Sequence, residues 1–484
     1  MKLRVWNTLE KSLLAVEPIN SDGIIRIYNC GPTVYSTPHI GNIRRFIVAD
    51  LLVKTLRYLD YPVRSVMNIT DVGHLMDSDH TEAGADKMMV AAKREKLTPE
   101  IIAAKYTQEF FTILNQMRAE PADFYPRATM HVTTMIKVIE NLFTNNFAYE
   151  TTSGVYFDVS KFSNYGKLSG NTTAEIEPGA RIGVREEKRH PFDFVLWVKA
   201  EKEHLMQWES PWGRGYPGWH IECSAMALQL LGESIDIHTG GIDNMFPHHE
   251  NEIAQSEGAS GKQFSNIWLH NEHLLVDGKK MSKSAGTYIT LDEIIKRGYN
   301  PLALKFLLLQ THYRSKLNFV WSALDSSTDG LKTIQSFVDK IISLTTENNI
   351  GTPVNSTETI NTEEYSEKFS NGLSDDLGTP QVIALIFEII RKINPLLEKN
   401  VLSKTNAMKL LDLFRSFDVV LGIISFSGNK KTEIPNEVSK LLSDREKARQ
   451  EKNYSLSDDL RNQIEKQGFN VKDTVTGQQL TSIK

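Results

Sequence analysis

The sequence predicts an α/β protein, a parallel-sheet domain split by an insertion and followed by helices and a small charged carboxyl-terminal unit. Three observations predict it. Short apolar runs ending in glycine-bearing turns occur at 24–29 (IIRIYN) and again, far along the chain, at 235–239 (IDIHT). Each leads into a helical pattern, the strand, loop and helix order that builds a parallel sheet. Between them, residues 127–210 follow a different, mixed pattern, and beyond about residue 300 the helical period dominates.

Taken in order, the strand 24–29 runs into the turn-rich stretch Cys30-Gly31-Pro32-Thr33 through Thr37-Pro38-His39-Ile40-Gly41-Asn42. From Ile43 to about Leu59 the apolar residues Phe46, Ala49, Val53, Leu56 and Leu59 recur at helical spacing. A second strand is predicted over 64–68. Residues 79–120 read as charged helix, with a boundary at Glu120-Pro121 and Tyr125-Pro126. The mixed stretch holds one helix near 131–144, short strands such as 154–159, and turns at Ser169-Gly170-Asn171 and Pro178-Gly179. Sheet strands resume at 235–239, before Gly240-Gly241 and a helix starting near Pro247. After residue 260 come short segments, then helices over 301–343. A polar hinge follows at 345–364, then helices to about 424, and a break at 428–435.

Composition narrows the function classes. The chain has 484 residues, 40% hydrophobic and 24% charged, with 29 Gly and 17 Pro dispersed, which excludes collagen-like, coiled-coil and wholly disordered chains. With 55 Lys and Arg against 60 Asp and Glu, the formal charge is −5, so a nucleic-acid partner must be met through local basic patches. No stretch approaches about 18 uninterrupted apolar residues, and the amino terminus lacks an apolar signal core; no membrane association and a cytoplasmic location are expected. The two cysteines, Cys30 and Cys223, are two buried thiols, one long-range disulfide or two metal ligands, the disulfide fitting a cytoplasmic protein least.

Three constellations carry chemistry. In Pro247-His248-His249-Glu250-Asn251-Glu252 a proline in the first turn suits a helix start. His248 and Glu252, four apart, then project from one face and can reach one metal. In an open parallel sheet the strand ends converge on one edge, so Cys30 and Cys223 can meet that helix and complete a zinc-compatible set of two thiolates, imidazole and carboxylate. Spacing alone leaves two inert buried thiols open. The second is Lys280-Met281-Ser282-Lys283-Ser284, which with Lys279 forms a cationic loop suited to a phosphate chain or simply a solvated charge run. The third, His39-Ile40-Gly41-Asn42, opens a helix, where free N–H groups and the positive dipole end attract anions and Gly41 lets another group approach closely.

His39-Ile40-Gly41-Asn42 resembles the HIGH signature, and Lys280–Ser284 is an unaltered KMSKS signature, of class I aminoacyl-tRNA synthetases. Within that class, Tyr28 to Tyr35, Pro217 to Met226 and Phe246 to Glu252 closely resemble cysteinyl-tRNA synthetases, over nearly the whole chain and most densely from 24 to 320. The resemblance implies a Rossmann-type parallel-sheet catalytic domain in two halves, 1–126 and 215–262, around a connective insertion at 127–214. It further implies a KMSKS and stem-contact region at 263–320, a helical bundle at 321–428 and a small anticodon-recognition module at 429–484. That module carries 11 Lys and Arg against 9 Asp and Glu, so it is mildly basic.

The implied activity is ATP-dependent ligation of L-cysteine to tRNA(Cys) through a cysteinyl-adenylate, by a monomer. One Zn2+ per chain is held by Cys30, Cys223, His248 and Glu252 and binds the substrate thiolate, while Mg2+ accompanies ATP. His39, Lys280 and Lys283 are implied as catalytic, and ATP contacts also come from Gly41, Asn42 and Asp243, the last near the ribose or the substrate amine. Trp219, Thr70, Gly31 and Thr33 are implied at the amino acid. The alternative is a related cysteine-activating ligase acting on an amino-sugar, a group that lacks the anticodon-recognition end. Departures from the usual family pattern are Asn42, Gly73-His74, Tyr216 and Leu377-Gly378.

Overall fold

Ile25–Asn29 is the inner strand about which the catalytic sheet is arranged in the computed structural model, which describes residues 2–72, 87–171, 187–201, 204–281, 286–346, 360–426, 435–451, 453–474 and 477–482. It pairs in parallel with Val63–Met67 on one side and Ile235–Gly241 on the other, and Ser265–Asn271 flanks the latter. Helices cover both faces of such a sheet, so its strands lose the apolar–polar alternation. Ile235–Gly241 is accordingly buried along its whole length. Ser265–Asn271 is the strand that sequence periodicity missed. Its polar residues Ser265, His270 and Asn271 are buried because they bond within the fold rather than face water.

The Ile40–Tyr58 helix crosses from the first strand to the second, beginning three residues before the expected Ile43. The cause is a reciprocal cap. His39 Nδ1 accepts from the amides of Gly41 and Asn42 (3.1 and 3.2 Å), and Asn42 Oδ1 accepts from the amide of His39 (3.2 Å). Free amides at this helix start were expected; the imidazole of His39 occupies them instead.

A four-stranded antiparallel sheet follows, in the order Ala148–Glu150, Gly154–Phe157, Phe194–Lys199 and Gly215–Pro217, so it continues past the expected end of the insertion at 214, because the last strand pairs with Phe194–Lys199. The Val132–Thr144 helix packs Met135, Ile139 and Leu142 into the same apolar cluster. The charged helical stretch resolves into Lys87–Glu95 and Pro99–Gln116, broken where Thr98 caps the second helix. Pro178-Gly179, Gly73-His74 and Lys283 lie outside the described residues.

Past the sheet, Lys279–Lys280, Leu274–Val276 and Leu317–Phe319 form a small three-stranded sheet. Arg44, 1% exposed, secures it to the Ile40–Tyr58 helix. Its guanidinium donates to the carbonyls of Glu272, His273, His312, Tyr313 and Ser315 at 2.6–3.4 Å, on the segments entering two of the three strands. Helices Pro301–Gln310, Trp321–Thr346, Thr362–Ser374, Thr379–Glu398 and Lys404–Leu421 follow. The chain divides into two compact units, the second taking in the end of the Trp321–Thr346 helix from Asp339 and the chain from Ser425. That unit folds helices Asn436–Gln450 and Tyr454–Lys466 and the hairpin Phe469–Thr474 with Gly477–Ser482 around Val438, Ile464, Phe469 and Val471.

A buried charge cluster joins the first helix to Pro301–Gln310. Asp50 accepts from Lys54 (3.1 Å) and Lys305 (3.3 Å), and both ammoniums also reach the carbonyl of Arg118. Removing one member of a buried ion pair costs about 3–5 kcal/mol. Asp50→Asn should lose that much in urea unfolding, and a loss below about 1 kcal/mol, the level of a surface pair, would show that the cluster carries little. Burial pushes the Lys305 ammonium down to about 8, against the attraction of Asp50. Its folded value lies below the unfolded one of about 10.4, so Lys305 costs stability below pH 8 and the cost fades as pH rises between the two. Relative to Lys305→Met, the unsubstituted chain should therefore gain stability over that interval.

Candidate metal and nucleotide site

Four elements bring their ends to one edge of the sheet. Cys30 is the first residue beyond the Ile25–Asn29 strand, and Cys223 projects from the Trp219–Leu231 helix. His248 lies in a wide turn, Met245–His249, and Glu252 in the first turn of the Glu250–Ser260 helix. The regular helix thus starts after Pro247, yet the four-residue spacing still brings His248 Nε2 within 3.0 Å of Glu252 Oε1. All four residues are buried and their donor atoms lie within 4.8 Å of one another.

This set fits a metal ion. Glu252 Oε1 is buried, makes no hydrogen bond of good geometry among the described residues, and faces His248 Nε2 at 3.0 Å, with both sulfurs within 4.8 Å. Two sulfurs, one imidazole and one carboxylate suit a tetrahedral, thiophilic ion such as Zn2+ and not the all-oxygen preference of Mg2+ or Ca2+. Without a cation the protons are strongly held. A hydrogen bond with Cys30, burial and the Glu252 carboxylate push the Cys223 thiol well up. Burial works against charge on His248, but Glu252 and Cys223 outweigh it and raise the imidazole to about 10. Burial likewise opposes charge on Glu252, yet His238 and His248 hold the carboxyl down at about 2. A divalent cation must displace the thiol and imidazole protons, so its binding weakens as pH falls.

Histidines without an assigned role in the sequence surround these donors. His220 bonds Nδ1 to Nδ1 with His248 (2.8 Å), and Trp219 stacks on the same ring with centroids 4.4 Å apart. His249 Nε2 lies 3.2 Å from Cys30 Sγ, its Nδ1 bonds His270, and His270 bonds Thr8 Oγ1. His238 Nε2 bonds Glu252 Oε2 at 2.7 Å. Cys30, His238, His249 and Glu252 form a second cluster within 4.8 Å, but its nitrogens already serve the primary donors, the arrangement that orients metal ligands from outside. A single histidine on a buried strand, as in IDIHT or IWLH, carries no periodic signal.

A cavity of about 310 Å³ opens beside the donors. Gly31, Thr33, Thr70 and Trp219 line it together with Cys30, Cys223 and His248, and so do His39, Asn42 and Asp243. Gly31 has no room for a side chain: a Cβ there would sit 1.7 Å from the carbonyl oxygen of Asn68. Its amide donates to Asn68 Oδ1 (2.7 Å), Asn68 Nδ2 donates to Thr70 Oγ1 (2.9 Å), and Thr70 donates to Glu222 (3.1 Å). Gly41 lies under the Met281 methyl, which a Cβ would meet at 2.4 Å, so the close approach expected at this glycine comes from the KMSKS methionine. Lys280 is exposed on its strand and is not on the cavity wall. Lys283 is outside the described residues.

Residues 16–329 match the catalytic-domain model of the class I (C) tRNA synthetases. Residues 368–425 match a DALR domain and 431–480 a cysteinyl-tRNA ligase anticodon binding domain. The chain is 40% identical to the cysteine-tRNA ligase of Protochlamydia amoebophila (strain UWE25), over 99% of this chain and 97% of that one. It belongs to the cysteine-tRNA ligase family. Another family member, from Chlorobium chlorochromatii (strain CaD3), is also 40% identical, over 99% and 98% of the two chains. Mycobacterium tuberculosis methionyl-tRNA synthetase, solved with methionyl-adenylate, superposes with a TM-score of 0.58 at 13% identity, covering 82% of this chain and 89% of that one. At that identity the likeness shows the class I fold. Among the described residues no helix is long and apolar enough to cross a membrane.

Replacing Cys223 by Ser removes one of the two sulfur donors of this cluster. Cys223→Ser should lower the bound zinc measured by elemental analysis and weaken cysteine binding together; full zinc retention would remove Cys223 from the ligand set.

Proposed function

We propose that the chain ligates L-cysteine to tRNA(Cys) in two steps at this cavity. A carboxylate oxygen of cysteine attacks the α-phosphorus of ATP, the bond to the β,γ-phosphates breaks, and cysteinyl-adenylate forms with release of pyrophosphate. The terminal ribose hydroxyl of the tRNA then attacks the adenylate carbonyl, the bond between that carbon and the phosphate oxygen breaks, and AMP leaves with its phosphate taking the hydroxyl proton. The single observation carrying this reading is that one cavity is walled by both the two-cysteine donor set and the His39–Asn42 helix start.

Neither step needs an enzyme nucleophile, so the chain contributes position and charge neutralisation. Trp219, Thr70, Gly31 and Thr33 enclose the amino acid, and His39, Gly41, Asn42 and Asp243 form the nucleotide side. Lys280 and Lys283 neutralise the phosphates, together with the Mg2+ that accompanies ATP. Zinc, one per chain at Cys30, Cys223, His248 and Glu252, would supply a soft Lewis acid that favours a thiolate over a hydroxyl. This answers a selectivity problem, since an apolar pocket separates groups differing by one small substituent by only about 1–3 kcal/mol. The basic residues of 429–484 and the match of 431–480 to an anticodon-binding domain favour tRNA over an amino-sugar as acceptor.

Cysteine-dependent exchange of pyrophosphate into ATP tests the activation step. Exchange is expected with cysteine, and it should fall when a chelator strips the metal. Absence of exchange with cysteine in the metal-loaded protein would sink the reading. Lys283→Ala should slow exchange while leaving zinc in place, and unchanged kinetics would remove that lysine from the mechanism.

A further inference from the structure

Arg45 has no part in the roles assigned above, yet it lines the cavity. It follows Asn42 by three residues on the Ile40–Tyr58 helix, so it lies on the face of the helix start that Asn42 occupies. Its Nη2 donates to the carbonyl of Gly31 (3.1 Å), the residue after the donor Cys30, and its Nη1 donates to Asn244 Oδ1 (3.1 Å), beside Asp243. One guanidinium thereby ties the helix, the strand-end loop and the 242–244 turn together on a wall that Cys30, His39 and Asp243 also line. Gly31 is held on both sides, by Asn68 at its amide and by Arg45 at its carbonyl.

A guanidinium has five N–H donors, and these two contacts use two of them. Arg45 and Lys87 are the lysine and arginine residues described on this wall, and Lys87 lies over the Tyr35 ring, 5.7 Å from its centroid. Cysteine brings a carboxylate separated from its sulfur only by the β and α carbons. With the sulfur at the Cys30 and Cys223 end, that carboxylate reaches the stretch of wall next to Gly31, where Arg45 is the cation. A carboxylate entering a partly desolvated site needs a fixed donor, and arginine supplies one whose planar fork matches it.

We infer that Arg45 binds the α-carboxylate of the amino-acid substrate, through N–H groups not used by Gly31 and Asn244, and so aims the attacking oxygen at the α-phosphorus. This deepens the proposed function and rests on it. The contacts to Gly31 and Asn244 hold the guanidinium in place before substrate arrives, which lowers the ordering cost of binding.

Arg45→Ala and Arg45→Lys test this with cysteine and with cysteamine, which keeps the thiol and amine but has no carboxylate. Direct binding by calorimetry and the KM in pyrophosphate exchange are measured alongside zinc content. A charged hydrogen-bond partner removed from a carboxylate should weaken cysteine binding about 10- to 100-fold. Cysteamine binding and zinc content should stay unchanged, and Arg45→Lys should recover part of the cysteine affinity. Equal losses for cysteine and cysteamine would mean that Arg45 only shapes the wall, and unchanged cysteine binding would equally overturn the assignment. If Arg45→Ala does not fold, the same cysteine-to-cysteamine ratio is read from Arg45→Lys. Failure of the unsubstituted, zinc-loaded chain to catalyse exchange would instead count against the proposed function, because calorimetry on the variants does not depend on turnover.

Discussion

All four strands of the catalytic sheet run in one direction, and the site depends on that constraint. Their last residues must then meet at one edge, where backbone leaves the ladder and side chains face a common space. Cys30 stands at the end of one strand, Asn68 just beyond another, and Asp243 and Asn244 just beyond a third. The Trp219–Leu231 helix adds Cys223, and the Glu250–Ser260 helix adds Glu252 to the same space. An antiparallel sheet would have sent half of these ends to the opposite edge.

The Ile40–Tyr58 helix serves almost every part of the catalytic unit. His39 closes its start, Arg45 braces the cavity wall, and Arg44 gathers five carbonyls ahead of two strands of the small three-stranded sheet. Further along, Asp50 and Lys54 anchor it to Lys305. Successive polar residues on one helix thus bind different segments, which explains why apolar residues alone do not form a clean stripe along it. The polar positions are buried too, each paired where it would otherwise be costly.

The candidate donors stood out because their types are rare and their spacing regular, two cysteines in the whole chain and a histidine and glutamate one helical turn apart. Spacing left inert thiols open, and only the packed structure brings the four atoms within 4.8 Å of one another. The surrounding histidines were not legible. His238 and His270 sit on buried parallel strands, where any apolar or polar residue satisfies the pattern and only the neighbouring strand decides whether a polar one finds a partner. The start of the first helix was misplaced for a similar reason. A histidine whose side chain takes the place of the usual capping hydroxyl or carboxylate gives no standard stop-and-start signal.

The sequence by itself determined the strand, loop and helix order and the helical carboxyl-terminal part, and it singled out Cys30, Cys223, His248 and Glu252 as candidate donors, since periodicity and rare residue types are properties of the chain. The packed structure decided which atoms face one another. Only there does Met281 cover Gly41, and only there does Arg45 bridge Gly31 and Asn244. Those pairs are separated by up to hundreds of residues, so no local pattern records them. Their geometry is set by how closely the helix, the strand ends and the turns can approach once the sheet has formed.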